Sequence, residues 1–178
     1  GNIILPNQIT VVMPQPETRT AYSEGSGVLH TQWAANDQIA IAPVCLVEYT
    51  TLYTVDPSTA SGSSATFKKT SGGTYNTTNT STNVWGVYYP GSSIRSDIEF
   101  MNFTYSGQVQ KASDPMGHMG KYYAMRQVLT SSSYGTFPAE KAISFANSDQ
   151  SSCLKFNLSG MTFKNPSKIS VSYIENGF

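Results

Sequence analysis

Charged residues are scarce in this chain, and the few that occur balance. Lys and Arg number 11, Asp and Glu number 11, and together they make up 12% of the 178 residues, about half the usual share. A chain without a basic surplus lacks the charge with which nucleic-acid binders neutralise phosphates. We therefore expect no nucleic-acid partner.

Long apolar runs are also missing. No run of apolar residues approaches the ~18–20 needed to span a bilayer as a helix. Disorder is disfavoured as well, because hydrophobic residues reach 39% and aromatic residues 12%, enough to build a core. Ser and Thr fill 43 positions. These features together predict a folded domain whose surface consists mainly of neutral hydroxyl and amide groups.

The chain has little of the chemistry that catalysis and metal binding need. It contains two Cys and two His, with no zinc-ligand spacing, calcium loop, nucleophile elbow, phosphate loop or dinucleotide fingerprint. Ser152 and Lys155 match an SxxK motif, but their segment alternates like a strand, which sends the two side chains to opposite faces. We therefore predict no catalytic residue, no cofactor-binding residue, no metal ligand and no cofactor, and the chain is interpreted as a non-enzyme.

The two cysteines do not define a disulfide scaffold. Alternation places Cys45 in phase with inward-facing residues and Cys153 on the same face as Lys155. Two independent thiols are therefore favoured, although one disulfide in an oxidising compartment stays open.

Alternation of apolar and polar residues with period two recurs along the chain, and helical periodicity is rare. The pattern predicts an all-β fold, a β-sandwich with at most one or two short helices. The strands are expected over residues 9–13, 18–22, 28–33, 38–42, 48–55, 65–69, 84–90, 98–105, 122–129, 141–145, 153–158 and 169–174.

Turn residues separate these strands. Asn36-Asp37 predicts a tight turn because both residue types tolerate the left-handed region and bond their own backbone. Residues 24–27 predict a second turn, and the polar stretch 71–83 is expected to be a surface loop. Asp114-Pro115 is typical of the start of a short helix.

Six aromatic residues leave a choice between two interpretations. They could stack on sugars from an exposed platform, or they could pack in the core. We favour the core, and expect a neighbouring pair such as Tyr88-Tyr89 to place one ring inward and one outward. The six are Trp33, Trp85, Tyr88, Tyr89, Tyr122 and Tyr123.

Taken in order, several segments resemble the N-terminal domain of the fimbrillin family, the fimbrial subunits and cell-adhesion proteins of Bacteroidetes. Trp33-Ala34-Ala35-Asn36-Asp37-Gln38-Ile39-Ala40-Ile41 is similar to the family's W-x-x-G-D-x-I-x-V segment, with Asn36 in place of Gly. Val84-Trp85-Gly86-Val87-Tyr88-Tyr89-Pro90 is similar to its aromatic Y-Y-P strand. Further similarity lies in 18–22, 65–67, 105–110, 119–125 and 154–158.

The resemblance implies a transthyretin-like β-sandwich and a structural or adhesin-like role in surface fimbriae. Family precursors are lipoproteins exported to the outer membrane, which implies a membrane link only through a lipid anchor. Members usually have a second, C-terminal domain; we interpret residues 1–178 as a single N-terminal domain without it. A carbohydrate-binding module of β-sandwich type is the alternative function.

The family also implies a mechanism of assembly. Processing removes an N-terminal strand, and a strand from another subunit fills the hydrophobic groove that opens. On this sequence the displaced strand would lie near residues 3–13, with Ile9, Val11, Val12 and Met13 as its candidate core and Ile3, Ile4 and Leu5 as further buried residues. Arg19, the only Arg before residue 95, is the candidate processing site. The expected partners are other fimbrial subunits, with host or bacterial surface ligands as a second class.

Overall fold

The predicted all-β fold is confirmed. In a computed structural model of the chain, the structure describes residues 2–13, 21–25, 28–44, 49–76, 83–91, 109, 124–138 and 142–145. Nearly all regular structure is β, and one short 3-10 helix, Pro57–Thr59, lies among the described residues. The predicted strands at 98–105, 153–158 and 169–174 and the helix at 114–115 fall outside them.

Among the described residues, eleven strands build three sheets. The large sheet has seven strands in the order β10-β9-β5-β6-β7-β2-β11, and two small sheets pair β1 with β8 and β3 with β4. The strands are β1 (Asn2–Ile4), β2 (Gln8–Val12), β3 (Ala21–Gly25), β4 (Val28–Gln32), β5 (Gln38–Pro43), β6 (Thr51–Val55), β7 (Ser64–Ser71), β8 (Thr74–Asn76), β9 (Val84–Tyr89), β10 (Met125–Thr130) and β11 (Ile143–Ser144).

Neighbouring strands of the large sheet are antiparallel, with one exception. β5 pairs with both β6 and β9, and β7 pairs with both β6 and β2. The exception is β11, which runs parallel to β2 over two residues. The predicted aromatic strand β9 is confirmed and is paired on both sides.

The structure differs from the sequence prediction at two turns. Residues 24 and 25 belong to β3, and Gly25 pairs with Val28 of β4. The two strands therefore extend further than the predicted turn at 24–27 allowed. The predicted loop 71–83 contains strand β8. β8 pairs with β1 over three residues, and a strand of three residues, Thr74–Asn76, is too short to show an apolar period in the sequence.

One hydrophobic core lies against the large sheet. Its largest fully buried side chains include Trp85, Tyr53, Phe67 and Ile39. β5 and β9 contribute most densely, since nearly every residue of both strands is buried. A strand buried on both faces reads as a continuous apolar run rather than as an alternation, which is the pattern of Val84–Tyr89.

The two neighbouring tyrosines are both buried, which corrects the expectation that one ring faces outward. Tyr89 belongs to the main core cluster. Tyr88 lies on the opposite face of the same strand and is also fully buried; the Arg126 guanidinium lies 5.9 Å from its ring centre. The second face of the sheet is therefore covered at this point.

The Asn36-Asp37 turn forms as predicted. Asn36 has a positive φ of 69°, a conformation that Asn adopts more readily than most residues. The Asp37 carboxylate accepts a hydrogen bond from the Ala34 amide at 2.7 Å and another from the Tyr89 hydroxyl at 2.9 Å. Asp37 thus ties the turn before β5 to the end of β9.

A second carboxylate organises the 3-10 helix after β6. Asp56 accepts from the Ser58 hydroxyl at 2.6 Å and the Ser58 amide at 3.2 Å, and it forms an ion pair with Lys68 at 2.8 Å. The hydrogen bonds from Lys68 and then from Ser58 lower the pKa of Asp56 from 3.8 to about 2. The carboxylate thus connects the 3-10 helix to β7.

We expect Asp37→Ala to reduce the free energy of unfolding by about 2–4 kcal/mol, because it removes a charged acceptor from a backbone amide and from a buried hydroxyl. Tyr89→Phe removes the hydrogen bond from the Tyr89 hydroxyl and keeps the Ala34 bond, so it should lower the free energy of unfolding by about 0.5–1.5 kcal/mol. Urea unfolding monitored by tryptophan fluorescence measures both. Equal losses in the two variants would contradict the role given to Asp37.

We also expect Asp56 to contribute to acid stability between about pH 4 and pH 2. Because folding lowers its pKa, the carboxylate stabilises the folded state above its unfolded pKa, and this contribution disappears as the pH falls through the folded value. The melting temperatures of the wild type and Asp56→Asn should converge over this window. When Lys68→Met is added to both proteins, the difference between their melting temperatures at higher pH should become smaller. A difference that stays constant from pH 5 to pH 2 would refute the assignment.

Candidate functional site

The N-terminal segment, residues 2–13, is the part of the chain that the sequence singled out for function. It forms β1 and β2 and places four apolar side chains in the core. These are Ile3, Leu5, Val11 and Met13, none more than 6% exposed. A terminal segment with this much buried apolar surface makes a substantial contribution to stability.

The four candidate residues of the predicted displaced strand lie in or directly after β2. Val11 and Met13 are buried as expected, whereas Ile9 and Val12 are half-buried. Ile4 corrects the expectation of burial, since it is 70% exposed. Its position between two inward residues explains this, because successive side chains of a strand face opposite sides. Arg19, the candidate processing site, lies outside the described residues.

The segment crosses from the small sheet to the large one at residues 5–7. On the β8 side, the Leu5 amide donates to the Gly73 carbonyl at 2.8 Å; on the β7 side, the Lys69 amide donates to the Asn7 carbonyl at 2.8 Å. Between these bonds one residue, Pro6, opposes the three residues 70–72. The ladder is therefore interrupted here, as at a β-bulge.

Two side chains replace the missing ladder partners. The Lys69 ammonium donates to the Leu5 carbonyl at 3.0 Å, and the Tyr53 hydroxyl donates to the Pro6 carbonyl at 2.8 Å. Pro6 has no amide hydrogen, so it adds no donor that needs a partner. The two carbonyls are therefore both satisfied without a strand beside them.

Gly73 leaves the space in which Lys69 lies. It has a φ of +98°, and a Cβ at this position would come within 2.6 Å of the Lys69 Cδ atom and 2.9 Å of its Nζ atom. A larger residue would therefore clash with the lysine and strain the backbone. The predicted loop thus contains a glycine that the crossing requires.

A groove runs beside the N-terminal segment. Its volume is about 740 Å³, and no charged side chain is found among its described lining residues, which include Ile3, Ile9, Phe137, Pro138 and Ile143. β11 pairs with β2 only at Val11 and Val12. In the part of the chain that the structure describes, no strand pairs with Gln8–Thr10 on that edge.

The aromatic candidates are core residues rather than a platform. Trp33 packs edge-on against Phe67 and Tyr89, at centroid distances of 4.9 and 5.6 Å. Trp85 packs against Phe137 and donates to the Thr136 carbonyl at 2.8 Å. With Tyr88 also buried, four of the six candidates present no exposed ring. Tyr122 and Tyr123 lie outside the described residues.

The remaining candidates for chemistry fall mostly outside the described structure. Cys45, His118 and the stretch from Ser152 to Lys155 are not described, and neither thiol can be placed. Within the described ranges no group of three or more His, Cys, Asp or Glu side chains could hold a metal ion. Nor does any helix there have the length and hydrophobicity to cross a membrane.

Sequence reasoning missed the polar residues at the crossing. Tyr53 and Lys69 follow the alternation of their strands and gave no signal of a special role. Two signals were present nearby: Pro6 inside an apolar run, and Gly72-Gly73 after β7, since both residue types mark breaks in strands. They located the interruption but not the side chains that satisfy it.

Comparisons with protein-family models, with curated proteins and with solved structures found no match.

Leu5 and Ile4 give a direct test of the burial pattern. Leu5→Ala should lower the free energy of unfolding by about 2–5 kcal/mol, because it leaves a cavity at a fully buried position. Ile4→Ala should change it by no more than about 0.5 kcal/mol, because that side chain is in solvent. Urea unfolding of both variants measures the difference. Similar losses would show that the segment does not pack as described.

Proposed function

We propose that this protein is a structural or adhesin-like subunit of bacterial surface fimbriae, which assembles when a strand of another subunit replaces its N-terminal segment. The proposal places the protein at the outer membrane or in the fimbrium, exported as a lipoprotein precursor, with other fimbrial subunits as partners. Its observational support is the N-terminal segment itself, which fills part of the core and lies beside a groove with no charged side chain among its described lining residues.

Strand exchange requires that the segment stabilise the fold and that the rest of the domain hold together without it. Its four buried side chains provide the stabilisation, since an equivalent strand would regain the same burial. Its described pairing is confined to β7, β8 and β11. The order β10-β9-β5-β6-β7 stays contiguous without it, so the four ladders among these five strands remain, while β11 loses its described partner β2.

The edge of β2 that faces the groove supports the same function. Backbone groups at a sheet edge that lack a ladder partner are a template for an added strand, and adjoining apolar surface strengthens the pairing. Within the described residues, β11 pairs with this edge only at Val11 and Val12, and Gln8–Thr10 lie next to the groove. A carbohydrate-binding module would instead need exposed aromatic faces, and four of the six candidate rings are buried.

The proposal predicts that cleavage after Arg19 makes the segment exchangeable. The chain is treated with an Arg-specific protease and incubated with a biotinylated peptide of residues 2–13. We expect the cleaved protein to lose its own segment and to capture the peptide, as measured by native mass spectrometry. Intact chain should capture none, because its own segment is tethered at high effective concentration.

Arg19→Lys is the matched control, since it keeps the charge and removes cleavage after residue 19 while leaving Arg95 and Arg126 as in the wild type. A folded, cleaved protein that never captures the peptide would overturn strand exchange. Absence of cleavage after Arg19 in the wild type would overturn the assignment of the processing site.

A further inference from the structure

We propose that Tyr53 and Lys69 form a register-setting site, which recognises two successive main-chain carbonyls of whichever strand occupies the place of residues 2–13. This inference rests on the proposed function, because only an exchangeable strand needs to be recognised. It requires that the incoming strand carry an interruption of its strand pairing as well as apolar side chains.

The two donors lie on different strands and converge on neighbouring peptide groups. Tyr53 comes from β6 and Lys69 from β7, yet their bonds reach the carbonyls of Pro6 and Leu5. Tyr53 is fully buried and Lys69 is half-buried. Hydrogen bonds to a charged donor are stronger than neutral ones, and a buried hydroxyl that loses its acceptor is costly.

Both donors belong to the body of the domain and stay behind when the segment leaves. They would then lack these two acceptors until another strand supplied carbonyls at the same place. In a continuous strand, successive carbonyls point to the two sides and pair with ladder amides. At Leu5 and Pro6 the carbonyls are paired with side chains instead, so an incoming strand needs two carbonyls placed at these points.

The buried pattern defines the rest of the partner. Four apolar residues at positions i, i+2, i+8 and i+10 correspond to Ile3, Leu5, Val11 and Met13. A proline at i+3 corresponds to Pro6, where a residue without an amide hydrogen leaves no donor unpaired. The uncharged lining of the groove favours a strand that is neutral over this length.

Register matters because a slip of one residue turns every side chain of a strand to the opposite face. Apolar packing alone tolerates related spacings, whereas two directed hydrogen bonds at one point do not. The site therefore selects the alignment at which the break of the incoming strand meets Tyr53 and Lys69.

Hydrogen exchange in the intact chain tests the anchoring role without any exchange of strands. In the double variant Tyr53→Phe, Lys69→Met we expect protection of the Leu5 amide to fall by about tenfold or more, while the amides of Ile39 and Ile41 keep theirs. Lys68→Met and Tyr89→Phe, which remove a neighbouring charge and another buried hydroxyl, should leave Leu5 unchanged. Unaltered protection in the double variant would overturn the proposal. Should that variant fail to fold, Tyr53→Phe alone carries the test with the same criterion.

A cycle of protein and peptide changes tests recognition of the carbonyl. The cleaved protein is offered the peptide of residues 2–13 with the Pro6 carbonyl replaced by a thiocarbonyl, a weaker acceptor. Capture by the wild type should fall about threefold or more, and capture by Tyr53→Phe by less than about twofold. A thiocarbonyl at Gln8 is the control and should affect both proteins equally.

The outcomes separate the two proposals. Equal sensitivity of both proteins to the Pro6 thiocarbonyl would overturn recognition by Tyr53 while leaving strand exchange standing. If the cleaved wild type captures neither peptide, the proposed function fails, and the exchange rate of the Leu5 amide still decides whether Tyr53 and Lys69 anchor the segment.

Discussion

The constraint on which the N-terminal region depends is main-chain hydrogen bonding where it passes from one sheet to another. A buried carbonyl without a donor costs about as much as a hydrogen bond is worth, and the ladder stops between Leu5 and Asn7. Lys69 and Tyr53 supply the two donors, and Gly73 leaves room for the lysine. Three residues that are distant in sequence from the crossing thus satisfy its carbonyls or make room for a donor. This is why the segment can bend without losing the burial of Ile3 and Leu5.

Other residues join the neighbouring strands of the large sheet. Asp37 connects the turn before β5 to Tyr89 on β9, and Trp33 packs on Tyr89 while donating to the Ser63 carbonyl at 3.0 Å. The same Ser63 carbonyl accepts from the Met13 amide at 2.9 Å, so the two groups of contacts meet at the end of the N-terminal segment. Under the proposed exchange, the hydrogen bond between Asp37 and Tyr89 would stay in place, whereas Ser63 would keep Trp33 as a donor and lose Met13.

The sequence predicted those features of the fold that depend on local pattern. Alternation located β2 and β7, apolar and aromatic runs located β5 and β9, and Asn36-Asp37 identified a turn because its side chains act on their own backbone. It did not predict β8, whose place is determined by its partner β1. It also expected one of the rings of Tyr88 and Tyr89 to face outward, whereas both are buried, Tyr88 with Arg126 of the neighbouring strand 5.9 Å from its ring centre. At the candidate site, Val11 and Met13 followed from alternation, but the roles of Tyr53 and Lys69 arise from contacts 47 and 64 residues apart.

The burial of the aromatic residues and the neutrality of the chain bear on function together. Since Trp33 and Trp85 are core residues, these two rings serve packing rather than a ligand surface. Under the proposed exchange, a groove whose described lining residues carry no charge would offer an incoming strand little electrostatic guidance, so apolar side chains would provide affinity but poor alignment. The directed hydrogen bonds that Lys69 and Tyr53 now donate to the Leu5 and Pro6 carbonyls would then set the alignment. On this proposal, one lysine bound to a main-chain carbonyl supplies the alignment that complementary charges supply at other interfaces.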